Sequence, residues 1–191
     1  MTLDNISQLI KKRRSVFPKT YRQNAPIERA IIEQVLENAN WAPTHRLTQP
    51  WRFQVFHSEE SRTRLAGYLS DYYQKTTPEA AFSEEKFQKT KTNPLRSGAV
   101  IAIIMHRDEA ERVPEFEELA AVSMAVQNMW LTCAAINLGC YWSTPPAAIA
   151  ANKFLELAPN ESCLGLFYMG WHDLPEMAGK RDAIGEKIRV F

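Results

Sequence analysis

The 191-residue chain has an ordinary globular composition, with 45% hydrophobic and 24% charged residues. Because 23 Lys and Arg residues nearly balance 22 Asp and Glu residues, the net charge of +1 argues against a domain that binds nucleic acid through a basic face. The length predicts one domain over residues 1–191. A polar N-terminus without a secretory pattern, and three cysteines without CxxC spacing, predict a cytoplasmic protein that has neither disulfides nor a zinc site.

The first part of the chain alternates helix and strand patterns. Asp4 is placed to cap a first helix, which runs into the basic cluster at 11–14. Pro26 is well placed as the first residue of a second helix, and Pro43 ends that helix. Alternating apolar side chains at 51–56 then predict a strand.

The middle and end of the chain continue this alternation of helices and strands. A charged, weakly periodic stretch at 79–93 is a candidate lid, whereas the continuous apolar run at 99–105 predicts a strand in the middle of a sheet, covered on both faces. Further strands are predicted at 139–144 and 162–169. This alternation is typical of an α/β or α+β fold.

The longest helical segment begins at Pro114 and runs to about Leu138, with Gly139 as its C-terminal cap. Between 119 and 138 it is apolar on nearly every side, so it must be buried on most of them. A membrane span is the rival interpretation, but polar residues such as Gln127 interrupt the run. We therefore predict that this helix packs on its own sheet with one face and on a second copy of the chain with the other, and not in a membrane.

The chemistry is limited by the motifs that the sequence lacks. With only seven glycines, it has neither the GxGxxG nor the GxxxxGK[ST] motif that cradles a cofactor phosphate with backbone amides. A phosphorylated cofactor would therefore need cationic side chains. No GxSxG elbow, HExxH motif or close histidine pair indicates hydrolase or metal chemistry. What remains is chemistry that the cofactor itself carries, such as hydride transfer through a flavin.

Segments spread along the whole chain resemble the nitroreductase family, and most closely its short, insertion-poor branch. The first is Arg13-Arg14-Ser15, which is similar to the flavin-phosphate motif, and the second is Trp41–His45 with Gln49–Phe53, which resembles the AP…QPW.F segment. Gly139–Thr144 resembles a flavin-edge strand, and Leu164–Gly170 resembles the last core strand. Lys187-Ile188-Arg189 resembles a K-x-R tail.

The resemblance implies an α+β nitroreductase-like fold, in which helices flank a central mixed β-sheet and a long buried helix lies at a dimer interface. It also implies a homodimer with FMN at the subunit interface, which oxidises NAD(P)H and reduces a nitroaromatic, a quinone or a related compound. It implies no catalytic side chain, because the flavin carries the chemistry. The implied cofactor-binding residues are Arg13, Arg14, Ser15, Trp41, His45, Gln49, Trp142, Ser143, Thr144, Lys187 and Arg189. Arg13, Lys187 and Arg189 would hold the phosphate, and Ser143 and Thr144 would reach the flavin from the partner subunit.

Two positions depart from the family pattern, since Leu47 stands where many members carry Asn and Phe17 where many carry a basic residue. His45 is expected to replace one lost polar contact. Plainer interpretations exist as well. Arg13 at a helix C-terminus would interact favourably with the helix dipole, by about 0.3–1 kcal/mol. Trp142 would belong to the core, and the tail would be exposed to solvent. The rival functions are a flavin-binding module without turnover and a cofactor-free interaction domain.

Overall fold

The computed structural model describes residues 2–191. Four strands form one sheet in the spatial order β1-β2-β4-β3. Their bounds are Trp51–Phe56 for β1, Ala99–His106 for β2, Leu138–Ser143 for β3 and Glu161–Trp171 for β4. β2 lies inside the sheet between β1 and β4, as its unbroken apolar run predicted. The α+β nitroreductase-like fold expected from the sequence is confirmed.

The sheet differs from expectation in its strand directions. All three strand pairs in residues 2–191 are antiparallel, whereas a mixed sheet was expected. The physical reason lies in the position of β4. β2 and β3 run in the same direction and are joined by one long helix, but β4 inserts between them and pairs antiparallel with both.

Six α-helices within residues 2–191 flank the sheet. Their bounds are Leu3–Lys12 for α1, Arg29–Asn40 for α2, Glu59–Thr76 for α3, Glu84–Arg96 for α4, Glu115–Ala135 for α5 and Pro146–Ile149 for α6. α4 covers most of the stretch interpreted as a lid, and it packs against α3 through Tyr73, Phe82 and Phe87, whose ring centroids lie 5.4–6.4 Å apart.

Three predicted helix ends were wrong, each because of a local or tertiary contact. Thr2, not Asp4, caps α1 by accepting a hydrogen bond from the Asn5 amide. α2 begins at Arg29 because Glu28 before it is extended, and the Pro26 carbonyl accepts a hydrogen bond from the indole of Trp171. α5 ends at Ala135 because Asn137 adopts a left-handed φ of 57°.

The two faces of the sheet carry separate cores. On β2, Ile101 and Ile103 pack with α2 and α5, while Val100, Ala102 and Ile104 pack with α3 and α6. This alternation follows from the period of two along a strand. The continuous apolar run of β2 is therefore explained by helices on both sides.

α5 packs on this sheet with one face, where Val122, Val126 and Met129 are fully buried. Its other face leaves large apolar side chains such as Leu119 and Met124 exposed. Within residues 2–191, no helix combines the length and the apolar character needed to cross a bilayer.

Candidate functional site

Arg13 stands at the C-terminal end of α1 and is half-buried. Its guanidinium lies over the ring of Trp130 in α5, with 4.9 Å between Cζ and the ring centroid. Burial, followed by the like charges of Arg181 and Arg14, lowers the pKa of Arg13. Arg14 follows Arg13 directly, and Gly179, two residues before Arg181, lies against the Arg14 guanidinium, so the three arginines stand near this end of α1. Within residues 2–191 none of them forms an ion pair with a carboxylate.

The guanidinium of Arg14 donates hydrogen bonds to backbone carbonyls. Its Nη1 donates to the carbonyls of Lys11 (2.6 Å) and Arg13 (2.7 Å), and its Nε donates to the carbonyl of Met177 (2.9 Å). The Lys11 carbonyl belongs to the last turn of α1, where carbonyls lack intrahelical partners, and Arg13 is the residue that follows the helix. Arg14 thus joins the end of α1 to the C-terminal tail.

The tail cation that acts on Arg13 is Arg181, a residue that the sequence analysis missed. Lys187, which was expected at the phosphate, lies 3.6 Å from the carboxylate of Asp182, and Arg189 is exposed. The available signal was the basic pair Lys180-Arg181, which follows the last strand more closely than the K-x-R triplet does.

The segment after Arg14 runs along the outer edge of β3. The amide of Val16 donates to the carbonyl of Cys140 (3.0 Å), and the ring of Phe17 contacts that of Tyr141 at a centroid distance of 4.9 Å. Ser15, half-buried, lies between these contacts and the arginines. The motif 13–15 is therefore held beside the flavin-edge strand of the same chain.

A cleft of about 430 Å³ opens beside this edge. Its lining includes Tyr141 and Ser143 from β3 and Lys89 and Asn93 from α4. Burial raises the pKa of Tyr141, while a hydrogen bond with Ser143 and the charge of Lys89 oppose that shift. The cleft is thus lined by aromatic rings with a cation and an amide at its rim, a combination suited to a planar, partly polar ligand.

Of the three residues expected at the end of β3, only Ser143 lines this cleft. The indole of Trp142 donates to the carbonyl of Leu164 (2.9 Å) and its ring packs against the core, as the plainer interpretation held. Thr144 is exposed.

The other expected residues lie on the loop between α2 and β1. Trp41 is 77% exposed and donates to the Glu37 carboxylate (2.9 Å), and Nδ1 of His45 lies 2.6 Å from Oε2 of Glu117 in the first turn of α5. Gln49 is exposed, and its backbone amide donates a hydrogen bond to the Thr44 hydroxyl (3.2 Å). Arg46, Leu47 and Gln49 all have positive φ angles between 45° and 54°, a concentration of strained backbone that is common at functional sites.

The loop and the arginines are distant from each other in one chain. His45 contacts α5 at Glu117, whereas Arg13 contacts it at Trp130. Thirteen residues of α-helix span about 20 Å at 1.5 Å per residue. The structure therefore holds Arg13–Ser15 beside β3 and separates His45 and Gln49 from them within one chain. The assignment of Ser143 to the partner subunit stays a prediction.

Known proteins resemble this chain in both sequence and fold. The model of the nitroreductase family matches residues 10–171. The Bacillus subtilis protein YfhC, provisionally named as an NAD(P)H nitroreductase, is 28% identical over 96% of this chain and 92% of its own. A crystal structure of a nitroreductase-like family protein from Bacillus cereus superposes with a TM-score of 0.80 at 25% identity, covering 100% of this chain and 98% of that one. A Desulfovibrio desulfuricans structure titled as a complex with FMN gives a TM-score of 0.73 at 22% identity, covering 98% and 96%.

Proposed function

The chain belongs to the nitroreductase family, and from that membership we propose that it is an FMN-dependent oxidoreductase. It would oxidise NAD(P)H and reduce a nitroaromatic, a quinone or a related acceptor. The observation that carries the proposal is the cluster of Arg13, Arg14 and Arg181 without a carboxylate partner in residues 2–191.

This cluster fits a phosphate. Burial first, and then the like charges of Arg181 and Arg14, lower the pKa of Arg13, and an anion between the guanidinium groups would relieve the repulsion between them. Arg13 and Arg181 would hold the phosphate of FMN through charge-assisted hydrogen bonds, with the Ser15 hydroxyl beside them. Because the sequence lacks a glycine-rich cradle, side chains must supply most of this binding.

The cleft along β3 is the proposed place for the flavin ring. The segment from Ser15 to Phe17 leads from the arginines to Tyr141, so a phosphate and a ring could be bound along one edge of the sheet. Tyr141 would exclude water from one side of the ring, while Lys89 and Asn93 would meet its polar atoms. When bound, FMN supplies the hydride-transfer chemistry for which no side chain here is suited.

A second copy of the chain would complete the site. The apolar face of α5 and the exposed ring of Trp41 form a surface that a soluble monomer would leave in water. If two α5 helices pack antiparallel, the loop of one copy approaches the arginines of the other. His45 and Gln49 would then contact FMN across the interface, which makes the homodimer the functional unit.

An absorbance spectrum tests the proposal. The purified protein, or the protein after addition of FMN, should show the bands of an oxidised flavin, and denaturation should release FMN and not FAD. NADPH or NADH should bleach those bands, and a quinone should restore them. A flavin that neither nucleotide reduces would favour a binding module without turnover. Failure to bind FMN would favour an interaction domain and end this proposal.

A further inference from the structure

Arg14 fastens the C-terminal tail to the end of α1. Its Nε donates to the carbonyl of Met177, 163 residues later, while its Nη1 is held by two carbonyls at the end of the helix. Lys12 adds a weaker link to the same part of the tail, since its Nζ lies 3.6 Å from Oε1 of Glu176 on the surface. Arg14 is therefore the principal polar link between the two segments.

Gly179 shows how closely the tail lies on this guanidinium. A Cβ added at Gly179 would lie 2.6 Å from Cζ of Arg14, and would overlap its nitrogens as well. The tail backbone is thus packed flat against Arg14, in a space that only glycine leaves free. The same test at Gly185, farther along the tail, finds nothing within 4 Å.

Two residues beyond Gly179 stands Arg181, the tail cation that acts on Arg13. Two residues of chain reach at most about 7 Å, so a tail fixed at 177–179 can place Arg181 only within a short radius of Arg14. Without that attachment, the exposed tail would have to lose more conformational freedom to bring Arg181 to the same place.

We propose that Arg14 is a positioning residue, which holds the tail so that Arg181 meets the same phosphate as Arg13. This inference rests on the proposed function, because it takes the phosphate of FMN as the anion. It assigns the second arginine of the motif a different task from the first: Arg13 binds the ligand, whereas Arg14 binds the backbone that carries another ligand-binding residue.

The test measures the affinity of the apo dimer for FMN and for riboflavin, which lacks the phosphate, by quenching of flavin fluorescence. Arg14→Ala should weaken FMN binding by about tenfold and change riboflavin binding by less than about twofold. Gly179→Ala should behave in the same way without removing a charge, because its methyl group displaces the guanidinium from Met177. Gly185→Ala is the matched control in the same tail and should leave both affinities unchanged.

A double-mutant cycle decides whether Arg14 acts through Arg181. In an Arg181→Ala background, Arg14→Ala should cost less than about a further twofold, since the residue it positions is gone. A full additional tenfold loss, or an equal loss of riboflavin binding, would overturn the inference. If Arg14→Ala fails to fold, Gly179→Ala carries the same cycle. A wild-type protein that binds neither flavin would instead overturn the proposed function, and this inference with it.

Discussion

The most decisive prediction concerns which basic residue of the tail binds the phosphate. The family resemblance indicates Lys187 and Arg189, whereas the structure brings Arg181 close enough to lower the pKa of Arg13. A hydrogen bond to a charged group contributes roughly 1.5–3 kcal/mol, and about 1.4 kcal/mol corresponds to a tenfold change in affinity. Because Arg181 is exposed and Arg13 half-buried, we expect about tenfold weaker FMN binding in Arg181→Ala and up to about a hundredfold in Arg13→Ala.

Arg189→Ala is the matched control, since it removes the same charge from the same exposed tail. It should change FMN affinity by less than about twofold. Titration of each apo variant with FMN at two salt concentrations measures these effects, and higher salt should weaken wild-type binding more than binding by Arg13→Ala. The reverse order, with Arg189→Ala the more damaging variant, would refute the assignment and restore the K-x-R triplet to the site.

Three further predictions follow from burial and charge. Leu119→Glu on the exposed face of α5 should convert the dimer to monomer in sedimentation experiments, whereas Leu95→Glu on α4, of nearly equal exposure (45% against 43%), should not. Phe167→Ala, in the fully buried core, should cost about 3–5 kcal/mol of unfolding free energy in urea titrations at fixed protein concentration, while Val190→Ala should change it by less than about 0.5 kcal/mol. Hydrogen bonds from Arg112 lower the pKa of Asp108 from 3.8 to about 2. Because the folded-state pKa is depressed, this contribution to stability is present above about pH 4 and is lost as the pH falls through about 2. Asp108→Asn should therefore flatten the dependence of the unfolding free energy on pH in that window.

The fold could be predicted from sequence where a local run of apolar residues requires burial. The apolar run of β2 has no polar face, so it had to be covered on both sides, and α5 carries more apolar surface than one sheet can bury. The strand directions could not be predicted in this way. β4 inserts between β2 and β3 because of pairing between segments distant in sequence, and no local pattern encodes that choice.

The candidate site also has one part that sequence could predict and one part that it could not. The motif Arg13-Arg14-Ser15 is local, and the structure holds it as one segment beside β3. The tail has no periodic pattern, and its position is set by the hydrogen bond from Arg14 to Met177 across 163 residues. Sequence alone therefore could not say which of its four basic residues the fold brings to Arg13. The different tasks of Arg13 and Arg14 were hidden for the same reason.

The strained loop between α2 and β1 is part of the surface that the proposed dimer would cover. Residues with positive φ cost of order 1–3 kcal/mol each when they are not glycine, and this loop contains three of them beside the exposed side chains of Trp41 and Leu47. In one chain, contacts such as that between His45 and Glu117 offset the strain, but the apolar side chains remain in water. A second copy would cover them and bring the loop to the arginines in a single event. If the complete site forms only in the proposed dimer, cofactor binding and dimer formation should be thermodynamically linked, with FMN stabilising the dimer by mass action.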